Sequence, residues 1–159
     1  MFYQKLFNEY IDKIFLPSIE IDDLRNNTKY ILEGGKRYRA MILMDISYTI
    51  YKDYLLDLAL AVELIHNASL ILDDMPNMDN DNFRRNKESA HIKFGVYNAK
   101  IIAQFFLMKS IEIINKYTTE ATKDIVVFIL EEMQKACLGQ YYDLKKEKTH
   151  NPEYYNNLK

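Results

Sequence analysis

The sequence ELIHNASLILDDMPNMDNDNFRRNKESAH, residues 63–91, decides how the rest of this chain is interpreted. Its first part ends an apolar segment, residues 54–72, that predicts a helix buried on nearly all sides. Directly after that segment, residues 73–85 contain four carboxylates and two arginines. Clustered carboxylates repel one another and are costly to desolvate. A core helix that ends in Asp73-Asp74 therefore makes physical sense if cations neutralise the pair.

The acidic residues favour magnesium over other metals. Pro76 must bend the chain, and this bend can return Asp79 toward Asp73. Oxygen ligands with no nearby His or Cys suit Mg²⁺, which commonly takes one or two carboxylates and completes its shell with water and phosphate oxygens. After the carboxylates in sequence, Arg84 and Arg85 can bind the phosphate oxygens of a ligand that the cation coordinates. The sequence therefore predicts a site for magnesium and a diphosphate.

Two other interpretations of the acidic loop explain fewer of its residues. An EF-hand calcium loop requires Gly at its sixth position, and counted from Asp79 that position is Arg84. An ordinary solvated loop explains Asp79 and Asp81 well. It does not explain two carboxylates at the end of a buried helix, so the metal–diphosphate interpretation is preferred.

Arginine is concentrated in two places. The chain has five Arg against sixteen Lys, and four of the Arg form the pairs Arg37 with Arg39 and Arg84 with Arg85. The planar guanidinium fork suits phosphate oxygens, so this concentration predicts anion binding. The first pair follows Gly34-Gly35 at a predicted helix start, where backbone N–H groups also favour an anion. A codon bias against Arg, and a turn followed by solvated charges, are the alternatives.

Histidine adds one candidate site residue. His66 lies seven residues before Asp73, two helical turns back on the same face. A lone His on an apolar helix is usually a core residue, but this alignment with the acidic cluster makes a site role equally plausible. His91 is a weaker candidate, and Gln140 with Asp143 fits either a site or a polar helix face.

The composition predicts one all-α domain over residues 1–159. With 48% hydrophobic and 28% charged residues the chain is globular, and a net charge of −2 provides no broad basic field for nucleic acid. Four Gly and three Pro favour long helices over short strands. Cys137, expected to be a small buried hydrophobe, is the one cysteine, which excludes an internal disulfide. With no signal peptide and no uncharged apolar span, we expect a cytoplasmic protein without a transmembrane segment.

Apolar periodicity and helix breakers divide the chain into helices. In the fifth, the spacing of Ile101, Phe105, Met108 and Glu112 predicts that the Phe and Met side chains belong to the core. A further helix begins at Asn151-Pro152-Glu153, which reads as an N-cap, an N1 proline and an early acid. The preceding helices are predicted over residues 2–15, 21–33, 36–51, 54–72, 89–117 and 119–146.

Three blocks together resemble the trans-isoprenyl diphosphate synthases, which include the farnesyl and geranylgeranyl diphosphate synthases. They are GGKRYRA (34–40), the block at 63–91, and GQYYD (139–143). Their order and spacing match over about residues 20–159. The resemblance implies an all-α helical bundle of the isoprenoid synthase type, usually a homodimer. It also implies a Mg²⁺-dependent enzyme that joins isopentenyl diphosphate to an allylic diphosphate.

The resemblance also implies roles for single residues. Those that would hold Mg²⁺ are Asp73, Asp74 and Asp79, and Arg84 would hold the allylic diphosphate. Those that would bind isopentenyl diphosphate are Lys36, Arg39, His66 and Arg85. Lys159, the last residue, matches the lysine of the family's Lys-Thr pair.

The chain departs from the family in length and in several positions. The family is about twice as long and has a second aspartate-rich motif on a later helix, so the resemblance implies an N-terminal half, C-terminally truncated. Smaller departures are Leu72 where His is common, Asn86 where Gly is usual, and Ala103-Gln104 where Gly-Asp is usual. The residues five and four before the first aspartate, Ala68 and Ser69, are small, which favours a C20 or longer product.

Two hypotheses follow. The first is a prenyltransferase, forming geranylgeranyl or farnesyl diphosphate, that works as a homodimer or with the missing half supplied by another subunit. The second is a non-catalytic homologue or regulatory subunit that binds a full-length synthase. Retention of the first-site ligands favours the first hypothesis, and absence of a second aspartate-rich motif favours the second.

Overall fold

The computed structural model describes residues 2–117, 119 and 123–144. These residues are mostly helical, as predicted, and the chain divides into two compact units, Met1–Ile114 and Asn115–Lys159. The helices are α1 (Phe2–Tyr10), α2 (Asp22–Leu32), α3 (Tyr38–Tyr51), α4 (Leu56–Asp73), α5 (Ala90–Phe94), α6 (Val96–Asn115) and α7 (Lys123–Leu144). A π-helical turn, Ile11–Phe15, and a 3₁₀ turn, Leu16–Ser18, extend α1, and a short hairpin, β1 (Phe83–Arg84) with β2 (Lys87–Glu88), precedes α5.

The core of the first unit is built around α4. This helix packs along α3, and α3 also packs on α1. Its buried apolar residues fall on more than one face, which agrees with the prediction of a central helix. They are Ala59, Leu60, Ala61, Leu64, Ala68 and Ile71. Glu63 and Asn67 are buried on the same helix, so the core contains polar groups that need partners.

Helix ends follow the predicted breakers, with one exception. Gly34 has φ +76° directly after α2, the left-handed geometry expected of glycine beyond a helix end. Pro17 lies in the 3₁₀ turn that ends the first helical segment. The single helix predicted over residues 89–117 is wrong, because Gly95 at φ +84° separates α5 from α6. The Asn151-Pro152-Glu153 start lies outside the described residues.

The predicted core face of α6 is also wrong. Ile101 and Met108 are 60% and 68% exposed, whereas Ile102 and Phe106 are buried. Apolar residues occur on both sides of this helix, and a shift of one residue rotates the face by about 100°. Spacing alone therefore did not identify the face that packs inward. The remaining buried residues of α6 are Ala99, Ala103, Ser110, Ile113 and Ile114.

The second unit contains α7. Cys137 is exposed on this helix, which corrects the prediction of a buried cysteine. Gln140 is half-buried, and the side chain of Asp143 lies outside the described residues. No helix in the described part of the chain combines the length and the apolar character needed to cross a membrane.

Candidate diphosphate-binding site

The acidic loop folds back on the end of α4. The Asp79 amide donates to the Asp73 carbonyl at 2.9 Å, and the Asn80 amide donates to the Met75 carbonyl at 3.0 Å. Met75 is buried and anchors the loop from inside. The bend expected at Pro76 is therefore present, and it brings the backbone of Asp79 to the last residue of the helix.

Asp73 carries an electrostatic cost in this position. Partial burial raises the pKa of its carboxyl, and the charges of Asp79 and Asp74 raise it further. A raised carboxyl pKa means that the ionised form is disfavoured where it stands. A bound cation would remove this cost. The donors are carboxylate oxygens, the type that Mg²⁺ prefers.

Asp74 occupies different surroundings from its neighbour. Its side chain is only 3% exposed, and Arg84 forms a two-pronged ion pair with it. The Arg84 Nε lies 3.0 and 3.1 Å from the two carboxylate oxygens. Arg84 also approaches Asp81 at 3.6 Å. The Asp74 carboxylate thus orients Arg84, and within the described residues no group of three or more metal-type ligands is assembled.

The two adjacent arginines of the hairpin make different contacts. Arg85 and Asn86 form its two-residue turn, with φ of 54° and 61°. Two successive positive φ values are typical of the turn that joins tight hairpins. Arg84, on the strand, pairs with Asp74, whereas Arg85, in the turn, lines one cavity together with Arg84 and Asp74 and also a second cavity that neither of them reaches. Lys87 ties the hairpin to α2 through an ion pair with Glu33 at 2.8 Å.

That second cavity, which we call the cationic cavity, has a volume of about 440 Å³. It gathers all four residues assigned to isopentenyl diphosphate by resemblance. The Arg39 Nη1 and His66 Nε2 lie 3.4 Å apart at its edge. The lining residues are Gly34, Lys36, Arg37, Tyr38, Arg39, Glu63, His66, Arg85 and Asn86.

Charges around the cavity shift the pKa of its own groups. Burial lowers the pKa of His66, and the charge of Arg39 lowers it further, so the imidazole is held neutral. Burial likewise lowers the pKa of Arg85, followed by the charge of Arg37. Several positive charges on partly buried side chains around one cavity form a suitable environment for an anion.

Sequence reasoning missed the role of Arg37 and Glu63. Both side chains are buried, at 5% and 3% exposure, and they form an ion pair at 3.3 Å. The remaining Arg37 donors go to the Leu32 carbonyl and to Asn8 Oδ1. Arg37 is thus a structural partner, not a free phosphate ligand. The sequence feature that could have indicated this ion pair is a single Glu among the apolar residues of a predicted core helix.

The remaining candidate residues differ in exposure, and one of them lies outside the described part of the chain. Ala68 is fully buried, so of the two small residues before the aspartates only Ser69 is exposed. His91 is buried on α5, and neither ring nitrogen has a hydrogen-bond partner in the described part of the chain. Lys159 lies outside the described residues.

Comparison with known proteins identifies the family of this chain. Residues 21–158 match the polyprenyl synthetase family. The chain belongs to that family. It is 39% identical over 124 residues to a geranylgeranyl diphosphate synthase of Pantoea ananas, covering 72% of this chain and 41% of the relative. It is 38% identical over 119 residues to a trans-prenyltransferase of an African swine fever virus isolate, covering 68% and 37%.

Solved structures support the same fold. A geranyltransferase from Legionella pneumophila superposes with a TM-score of 0.84 at 26% identity, over 98% of this chain and 59% of that one. A geranyltranstransferase from Thermotoga maritima gives 0.78 at 30% identity, over 92% and 55%. The fold is therefore the all-α bundle of the isoprenoid synthases, and the chain spans about half the length of the relatives it matches.

Proposed function

We propose that this protein is a Mg²⁺-dependent prenyltransferase that condenses isopentenyl diphosphate with an allylic diphosphate. One observation carries the proposal: Lys36, Arg39, His66 and Arg85 line a single cavity, in the same compact unit as the acidic turn at Asp73. Family membership and relatives named as prenyltransferases support it.

The acidic turn would serve the allylic diphosphate. Asp73 and Asp79 fit a hard divalent cation, because both offer carboxylate oxygens and the pKa of Asp73 is raised by burial and by the charge of Asp79. When bound, Mg²⁺ would supply positive charge where the departing diphosphate gains negative charge. Arg84, fixed by the buried Asp74, would add a guanidinium to the same anion.

The cationic cavity would serve isopentenyl diphosphate. Lys36, Arg39 and Arg85 supply positive charge, and Arg39 and Arg85 can each grip phosphate oxygens with two N–H groups. The lowered pKa keeps His66 neutral, so its imidazole can donate one hydrogen bond without adding charge. Binding in two separate places would keep the two diphosphates apart while their prenyl groups meet.

The same helix supports a proposal for the length of the product. Ser69 is exposed one turn before Asp73, and its small side chain leaves room beside the acidic turn. We therefore expect geranylgeranyl diphosphate, a C20 product, or a longer one in preference to farnesyl diphosphate.

A second candidate function is that of a subunit that binds diphosphate and a synthase subunit without completing the transfer. Tyr97, Ile101 and Met108 recur at helical spacing on α6 and are exposed, which favours a protein partner for this face. The partner would be a second copy of the chain or another synthase subunit.

A condensation assay on the purified chain separates the two candidates. Labelled isopentenyl diphosphate and farnesyl diphosphate are incubated with Mg²⁺, and the products are separated by length. We expect a C20 or longer product that is lost in Asp73→Asn. Diphosphate binding without any product would contradict the transferase and leave the binding subunit.

A further inference from the structure

The buried ion pair between Arg37 and Glu63 lies directly behind the cationic cavity. Arg37 Nη1 contacts Glu63 Oε2 at 3.3 Å, and both residues also line the cavity wall. Among the described residues that form this wall, Glu63 is the only acid. The acid is therefore paired with the buried Arg37, and the charges of Lys36, Arg39 and Arg85 are left for a ligand.

Arg37 joins several elements at once. Its Nε donates to Asn8 Oδ1 on α1 at 3.2 Å, and its Nη2 donates to the Leu32 carbonyl at the end of α2. Through Glu63 it reaches α4. Its backbone has φ of 61°, a left-handed conformation that costs a non-glycine residue energy and persists only when its surroundings enforce it.

Arg37 also packs against the turn that forms the cavity rim. A Cβ on Gly35 would lie 2.7 Å from Arg37 Nη1 and 3.1 Å from Arg85 Nη1. The Gly35 backbone is therefore in close contact with both guanidinium groups. A displacement of Arg37 would disturb the Gly34-Gly35 turn and Arg85 together.

From these contacts we propose that Glu63 is a positioning residue for the anion-binding cavity. By fixing Arg37 it holds the Gly34-Gly35 turn and Arg85 where a diphosphate needs them. Glu63 lies one helical turn from His66, so the same helix aligns the other side of the cavity. The inference deepens the proposed function, since it concerns the isopentenyl diphosphate side of the same site.

The sign of one substitution distinguishes positioning from simple electrostatics. Glu63→Gln removes a negative charge beside the cavity, and charge alone would tighten anion binding. If Glu63 positions the cavity, the released Arg37 disturbs the turn and binding weakens instead. Inorganic diphosphate is the probe, because it reports on the cavity without a prenyl group. Calorimetry on folded protein would measure its dissociation constant.

A charge-neutral double variant tests the same idea in case Glu63→Gln does not fold. Arg37→Met combined with Glu63→Met removes one charge of each sign, and replacing a buried ion pair by apolar residues is often tolerated or stabilising. We expect this double variant to fold, as judged by circular dichroism and urea unfolding. It should nevertheless bind diphosphate about tenfold more weakly, which is the lower end of the loss found when a partner that orients a metal ligand is removed.

Glu9→Gln is the matched control, because Glu9 pairs with Lys13 on the surface and does not line the cavity. It should bind diphosphate as the natural chain does. Tighter binding by Glu63→Gln, unchanged binding by the double variant, or no binding by the natural chain would each overturn the inference. Failure of prenyl transfer with these binding results intact would instead count against the proposed transferase alone.

Discussion

At the scale of single residues, two neighbouring carboxylates have opposite roles. Asp74 is buried and held in a fork by Arg84, so its charge is compensated inside the protein. Asp73 is half-buried, and burial and the charges of Asp79 and Asp74 raise its pKa despite the opposing charge of Arg84. Asp74 therefore supports the structure, and we propose Asp73 as the position that binds a cation.

This contrast predicts opposite effects on stability. Asp74→Asn leaves the partly exposed Arg84 with only the longer contact to Asp81, and we expect it to lower the free energy of unfolding by about 2 kcal/mol, below the range for fully buried pairs. Asp73→Asn relieves repulsion with Asp79 and should leave stability unchanged or raise it. Urea unfolding in the absence of divalent cations measures both. Equal losses in the two variants would contradict the assignment.

His66 predicts a pH dependence of stability. Burial and the charge of Arg39 lower its pKa in the folded chain, so the unfolded chain takes up a proton first as pH falls. The contribution of His66 is therefore fully present above its unfolded pKa of about 6.5 and is lost as pH falls from there toward the lower folded pKa.

The measurement compares unfolding free energies at pH 7.5 and pH 5.5. His66→Gln cannot titrate, so it should lose less stability over this interval than the natural chain. His150→Gln is the control, because it removes an imidazole at another position of the chain. A loss in His66→Gln equal to that of the natural chain would show that His66 is not held neutral.

At the scale of elements, the long helices were predictable and the hairpin was not. The segment over residues 54–72 is apolar on nearly all sides, and α4 is indeed the core helix. The turn at Arg85-Asn86 lacks the glycine that usually marks a tight hairpin. The sequence therefore did not predict that both residues have a left-handed backbone conformation. The pairing of Glu63 with Arg37 was also hidden, because it joins residues 26 positions apart.

The hairpin turn predicts a paired result at Asn86. Asn tolerates its φ of 61° better than other residues with side chains, and Gly tolerates it freely. Asn86→Ala should lower the free energy of unfolding by about 1 kcal/mol, whereas Asn86→Gly should leave it unchanged or raise it. Thermal and urea unfolding provide the test. The hypothesis fails if alanine is tolerated as well as glycine.

At the scale of the whole molecule, the candidate site belongs to a part of the isoprenoid synthase fold. Both the cationic cavity and the acidic turn lie within Met1–Ile114. The related structures extend well beyond the matched region, since this chain covers 55% to 59% of the two compared above. Diphosphate binding can therefore be tested on this chain directly.

Self-association is the last prediction. The exposed α6 face of Tyr97, Ile101 and Met108 would be covered in a homodimer. Ile101→Glu places a charge in that face and should weaken association at least about tenfold, because an unpaired charge is costly to bury. Lys5→Glu, a charge reversal at an exposed position on α1, is the control and should associate normally. Sedimentation equilibrium measures both. A natural chain that stays monomeric at high concentration would point instead to a different synthase subunit as the partner.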